Sequence, residues 1–144
     1  MKVLVEKNPS LDACTITHES VNLESIEDIA EWREQLMAGI EAQVGNGRTY
    51  LLVDYNGFTI SSSMTNEYGQ VAEELRQRFA KEVFRYGQTD PHSLLSARLQ
   101  CLKRAHRSNL FASRQEAIAA LDKIRSKKSA VSGRPHDSAS LTQE

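Results

Sequence analysis

The sequence predicts a single α/β domain built on a mixed sheet of about five strands, with an N-terminal hairpin and about four helices. Three observations carry that prediction. Apolar residues recur at helical spacing in segments that alternate with short β-branched runs. The run "TYLLVDY" is apolar without alternation, as expected of a strand buried on both faces. Turn-forming residues punctuate the junctions between these pieces.

The elements follow in order. "KVLVE" and "ACTITHE" flank "KNPSLD", whose Asn, Pro, Ser and Asp form turns, so the chain opens with a hairpin. From Ser25 to Val44 the apolar positions Ile26, Ile29, Leu36, Met37, Ile40 and Val44 form a 3.6-residue stripe, predicting a first helix that stops at "GNG". "TYLLVDY" is the next strand. Tyr68, Val71, Ala72, Leu75 and Phe79 mark a second helix, and "KEVFRY" the strand after it. Asp90 as N-cap and Pro91 at the first position start a third helix, with Leu94, Leu95, Leu99 and Leu102 as its apolar stripe. "NLFAS" is a last short strand. In "SRQEAIAALDKIR", Ser113 and Glu116 have capping-box spacing, and Ala117, Ile118, Leu121 and Ile124 face the core of a fourth helix. Residues 1–126 are thus expected to form one domain, its parallel strands joined by right-handed helical crossovers. Residues 127–144, polar, Ser-rich and aperiodic, are expected to form a disordered tail.

Composition narrows the function. With 144 residues, 40% hydrophobic and 26% charged, the chain suits one core. It has no apolar run of about 18 residues to span a bilayer, and Glu6 interrupts "MKVLVEKNPS" before a signal-peptide core forms. A cytoplasmic protein without a membrane partner is the expectation. Cys14 and Cys101 lie far apart with no CxxC and no Cys/His cluster, so neither a disulfide framework nor a metal site is indicated, and both read as buried small hydrophobes. Residues 1–80 carry 13 acids and 6 bases, residues 81–144 carry 6 acids and 12 bases. These bases are spaced along helices without interleaved aromatics, so a nucleic-acid partner is not expected.

Catalytic motifs are missing. The sequence has no GxSxG, no Walker loop, no GxGxxG and no HExxH, so the reading leans away from an enzyme, and no cofactor is indicated. What stands out is the junction "VDYNGFTISSSMTNEYG", which sets Ser61, Ser62 and Ser63 between a strand and a helix. Three explanations stay open: capping by Ser63 or Thr65, an anion site at a helix N-terminus, and a phosphorylation switch. "RYGQTDPHS" leaves the carboxyl end of a neighbouring strand, which would set Arg85, Thr89, His92 and Ser93 opposite Asn56 and the three serines. Turn chemistry and capping account equally for Thr89 and Asp90. Trp32 has two readings, an exposed partner anchor and a ring partly buried at the sheet edge.

The order of "LLVDYNG", the Ser-bearing loop, the following helix and strand, and the closing "FASRQEA" helix resembles the STAS superfamily, over about residues 12 to 125. It is similar to the branch of anti-sigma-factor antagonists, bacterial regulators. In those proteins the loop reads D-S-(S/T)-G and its first serine is phosphorylated by a partner kinase. That resemblance implies Ser62 as the phosphoacceptor candidate, although Ser61 replaces the Asp and Met64 the Gly. "LLVDYNGFTIS", "EYGQVAEELRQRFAKEVFRYGQTD" and "NLFASRQEAIAAL" also resemble a small C-terminal module of some bacterial propionate-type CoA-transferases, which implies an accessory piece without transferase activity. Two functions follow as expectations. One is a non-catalytic regulatory module that docks a protein, an anti-sigma-type kinase or an enzyme subunit, through the Ser61–Ser63 loop and the next helix. The other is a module that binds an acyl-CoA or nucleotide anion beside an enzyme.

Overall fold

A computed structural model describes the backbone of residues 1–132 and the side chains of residues 1–127. Strands β1 (Lys2–Asn8), β2 (Ala13–Glu19) and β3 (Val21–Leu23) lead into α1 (Ile26–Val44). Then come β4 (Thr49–Asp54), β5 (Phe58–Ile60), α2 (Thr65–Phe79), β6 (Ala80–Tyr86), α3 (Pro91–Lys103), β7 (Leu110–Phe111) and α4 (Arg114–Ser132). The main sheet has five strands in the order β1-β2-β4-β6-β7. β1 and β2 form the expected antiparallel hairpin, and the other pairs are parallel.

The side-chain period of two explains why β4 reads as a continuous apolar run. Leu51, with Cys14, Ile16 and Val83, belongs to the core shared with α1 and α2, while Tyr50 and Leu52, with Ala13 and Phe84, meet Ala117 and Leu121 of α4. Helices therefore cover both faces of β4. The expected caps of α3 and α4 are in place, and α1 has a cap that the sequence reading did not name. Ser25 accepts from the Asp28 amide, Asp90 from the Ser93 amide, and Ser113 from the Glu116 amide while Glu116 accepts from Ala112.

Four features depart from the sequence reading. First, β3 and β5 pair in parallel as a separate two-stranded ribbon. Each has only three residues, too few to show a period. Gly57 makes the ribbon possible: its φ is +75°, and a Cβ there would lie 2.6 Å from the His18 carbonyl oxygen. Second, the leucine stripe of the third helix does not face the core. Ser93, Ser96, Ala97, Gln100 and Cys101 are buried instead, while Leu95, Leu99 and Leu102 are 55%, 49% and 77% exposed; only Leu94 packs against the core. The small and hydroxyl side chains allow close approach and hydrogen bonding to α2 and β5, which outweighs burial of leucine there. Third, Trp32 is fully within the core. Its ring stacks on Tyr68 and its Nε1 donates to His18 Nε2 at 3.3 Å, so it is no surface anchor. Fourth, α4 continues to Ser132, past the boundary expected at 126, through Lys and Ala residues that favour helix. The rest of the expected tail, residues 133–144, lies outside the described residues. Cys14 and Cys101 are both free and buried, as expected.

Candidate functional site

The serine run begins where β5 ends. The Ser61 amide donates to the Leu23 carbonyl at 2.9 Å, which fixes the loop to the small ribbon. Ser62–Met64 then forms one 3-10 turn before α2. Ser61 caps that turn: its Oγ accepts from the Ser63 amide at 3.4 Å and bonds the Ser63 hydroxyl at 2.9 Å. The expected capping of α2 by Ser63 or Thr65 is absent: Met64 occupies the N-cap and makes no side-chain cap hydrogen bond. Thr65 turns sideways, donating to the Ser62 carbonyl and meeting the Ser96 hydroxyl of α3 at 3.2 Å. Ser62 alone of the three serines keeps an exposed hydroxyl without a hydrogen bond among the described residues.

The two loops at the carboxyl ends of β4 and β6 do meet. Asn56 Oδ1 accepts from the Gln88 amide at 3.0 Å, and Thr89 Oγ1 donates to the Phe58 carbonyl at 2.5 Å. Ser93 Oγ accepts from the Ile60 amide at 2.8 Å and donates to Asp90 Oδ1 at 2.6 Å. Those bonds from the Ser93 hydroxyl and amide hold the Asp90 carboxyl below its ordinary pKa. Asn56, Thr89 and Ser93 are therefore brought together, and each already has a structural partner. His92 stays exposed at the start of α3.

Arg85 goes elsewhere. It is 4% exposed, and its Nη1 donates to the Ser108 carbonyl at 2.8 Å. Beside it the hydroxyls of Tyr55 and Tyr68 meet at 2.8 Å, and burial pushes both phenols above their ordinary pKa, so they stay neutral. No carboxylate forms an ion pair with Arg85 among the described residues. Arg85, His18, Trp32, Tyr55 and Tyr68 line a cavity of about 30 Å³ between α2 and the sheet, which is room for little more than one water. The serines are not part of its lining.

A wider groove of about 410 Å³ lies on the α4 side, between the β1–β2 hairpin, Asp54, Tyr86 and Arg114. Its lining includes Glu6 and Asp54 as well as Lys7 and Arg114, so it presents both signs of charge. Sequence reasoning missed this groove because its residues come from four separate segments. It also missed the exposed leucines of α3, since periodicity identifies a stripe without saying which way the helix turns it. Among the described residues no group of three or more His, Cys, Asp or Glu is placed to hold a metal ion, and no helix is long and apolar enough to cross a membrane.

No protein-family model matches the sequence, and no curated protein matches it at a significant level. Among solved structures, the chain is similar to the murine Solute Carrier 26 family member A9 anion transporter in the inward-facing state, with a TM-score of 0.57 and 11% identity. The match covers 85% of this chain and only 22% of the transporter. At that identity the likeness speaks for the fold alone: this chain is a mixed-sheet α/β domain of STAS-like architecture.

Proposed function

We propose that the chain is a non-catalytic regulatory module that docks a partner protein on the face formed by the Ser61–Ser63 loop and α2. The observation that supports this reading is the Ser62 hydroxyl, exposed on the turn that opens α2, a turn capped by Ser61 and tied through the Ser62 carbonyl to Thr65. A phosphate added there would sit by the uncapped amides of α2, where negative charge is favourable, and would change the surface offered to a partner by nearly two charges. The partner class that fits is a kinase of the anti-sigma type or an enzyme subunit, in a cytoplasmic setting. The reading as an anion-binding module accessory to an acyl-CoA enzyme has less support: Asn56, Thr89 and Ser93 are bonded within the fold, and Arg85 is directed to Ser108.

The test compares wild type, Ser62→Ala and Ser62→Asp as baits. Ser62→Asp is expected to change one specific association about tenfold, with Ser62→Ala behaving as wild type and all three giving the same circular dichroism. Identical partner profiles for the three baits would sink the proposal.

A further inference from the structure

We infer that the outer face of α3 is a docking site for an acidic amphipathic helix of a partner protein. This deepens the reading above, on which it rests, by placing the apolar contact on α3 rather than on α2. At about 100° per residue, Leu95, Leu99 and Leu102 fall within one narrow sector of the helix, opposite Ser93, Ser96, Ala97, Gln100 and Cys101. The inner face is already packed, so no folding need accounts for three leucines outside. A single exposed leucine means little, but three at i, i+4 and i+7 form a continuous strip about 10 Å long. That is the spacing by which one helix meets another.

Charge decides the occupant. On the wheel Arg98 borders the strip on one side, and His92 and Lys103 border it on the other, all three exposed. From Pro91 to Gln115 the sequence holds five Lys and Arg residues and no Asp or Glu. An apolar strip with a basic rim is complementary to an apolar strip with an acidic rim, which both steers encounter and fixes register. A second copy meeting strip to strip would bring together two basic rims of the same sign, Arg98 and Lys103 with their counterparts. A bilayer surface is disfavoured too, because the strip has no aromatic residue to anchor it at the interface. On its inner face, opposite the strip, α3 is tied to the two ends of the serine loop, where Ser93 and Ser96 bond Ile60 and Thr65.

The test is a display library of helical peptides with a fixed apolar strip and flanks randomised among Asp, Glu, Lys, Arg and Ser, selected on the full-length chain. Asp and Glu are expected to be enriched at the flanks. The selected peptide should bind at least about tenfold more weakly to Leu95→Ser/Leu99→Ser/Leu102→Ser, to Arg98→Glu/Lys103→Glu, and to wild type in about 0.5 M salt. The charge pair guards against misfolding of the leucine variant, as both its positions are exposed. Basic flanks, no enrichment, or equal affinity for both variants would overturn the inference. So would self-association, or binding to vesicles of equimolar phosphatidylglycerol and phosphatidylcholine, that the leucine variant abolishes. If no peptide is selected while the Ser62→Asp effect survives, the α3 site alone fails; if peptides bind but Ser62→Asp changes nothing, the serine-loop reading alone fails.

Discussion

Helices α1 and α3 follow the same 3.6-residue rule and turn opposite faces to the core. In α1 the apolar stripe goes inward: Ile29, Trp32, Leu36, Met37 and Ile40 are buried, with acidic residues outside. In α3 the small and polar stripe goes inward, and the leucines stay outside. The difference lies in what each helix meets. α1 covers open β-sheet, where large side chains fill the space. α3 lies close against α2 and β5, where a Cβ at Gly69 would come within 2.0 Å of Gln100 Oε1 and the Ile60 amide needs the Ser93 hydroxyl. Hydrophobic area thus orients one helix, and close approach with hydrogen bonding orients the other.

The largest effect that tests this contrast is truncation of a leucine in each helix. Leu36→Ala empties a fully buried site and should cost about 2–5 kcal/mol in denaturant unfolding. Leu99→Ala trims an exposed side chain and should stay within about 0.5 kcal/mol. Comparable losses at the two positions would mean that α3 is not turned as described.

A smaller loss should come from the polar side of α3. Ser93→Ala removes the acceptor of the buried Ile60 amide and the donor to Asp90, for an expected cost of about 1–3 kcal/mol. Conventional ranking would put a leucine above a serine, so the order Ser93→Ala worse than Leu95→Ala or Leu99→Ala is the distinctive outcome. Equilibrium urea unfolding of the three variants reads it directly, and the reverse order would refute the orienting role of the hydroxyl.

Much of the fold was legible because its signals are long. The hairpin, the continuous β4 run, the stripes of α1 and α2, and the Asp90 and Ser113 caps each extend over several residues and do not depend on a distant partner. What escaped depends on such partners. Val21–Leu23 and Phe58–Ile60 are strands only because they pair with each other across 37 positions of sequence. Arg85 looked like a loop cation at a strand end, yet β6 turns it inward to Ser108 and the tyrosine pair. For the candidate site, the meeting of the two loops could be anticipated from parallel topology, whereas the consumption of Asn56, Thr89 and Ser93 by bonds between those loops could not.

The α1 side also carries a pH dependence centred on a buried histidine. His18 donates from Nδ1 to the Asp54 carbonyl at 2.7 Å and accepts at Nε2 from Trp32 of α1, so its neutral form fits and a second proton would face the indole N–H. Burial, opposed in part by Asp54, lowers its pKa below the ordinary value. With the folded pKa lowered, the unfolded chain takes up the proton first. The stability contribution is complete above the unfolded value of about 6.5 and declines as pH falls through it toward the folded value. Burial lowers His106 as well, beside Glu73 at 3.3 Å, so the informative quantity is the difference in Tm between wild type and His18→Gln from about pH 8 to about pH 5. The wild-type advantage should shrink as pH falls; a constant difference would show that His18 does not titrate in this range.

The smallest expected effect separates structure from docking within the serine run itself. Ser61 caps the 3-10 turn, so Ser61→Ala should cost about 0.5–1 kcal/mol. Ser62 has an exposed hydroxyl that bonds nothing among the described residues, so Ser62→Ala should change stability by less than about 0.5 kcal/mol. A hydroxyl that the fold does not use is free to be modified or to touch a partner; one that the fold needs is not, since modification would then loosen the turn that presents it. Equal losses at Ser61 and Ser62 would therefore remove the main support for docking at this loop, whereas a silent Ser62→Ala paired with a measurable Ser61→Ala leaves the hydroxyl of Ser62 as surplus to folding and available for recognition.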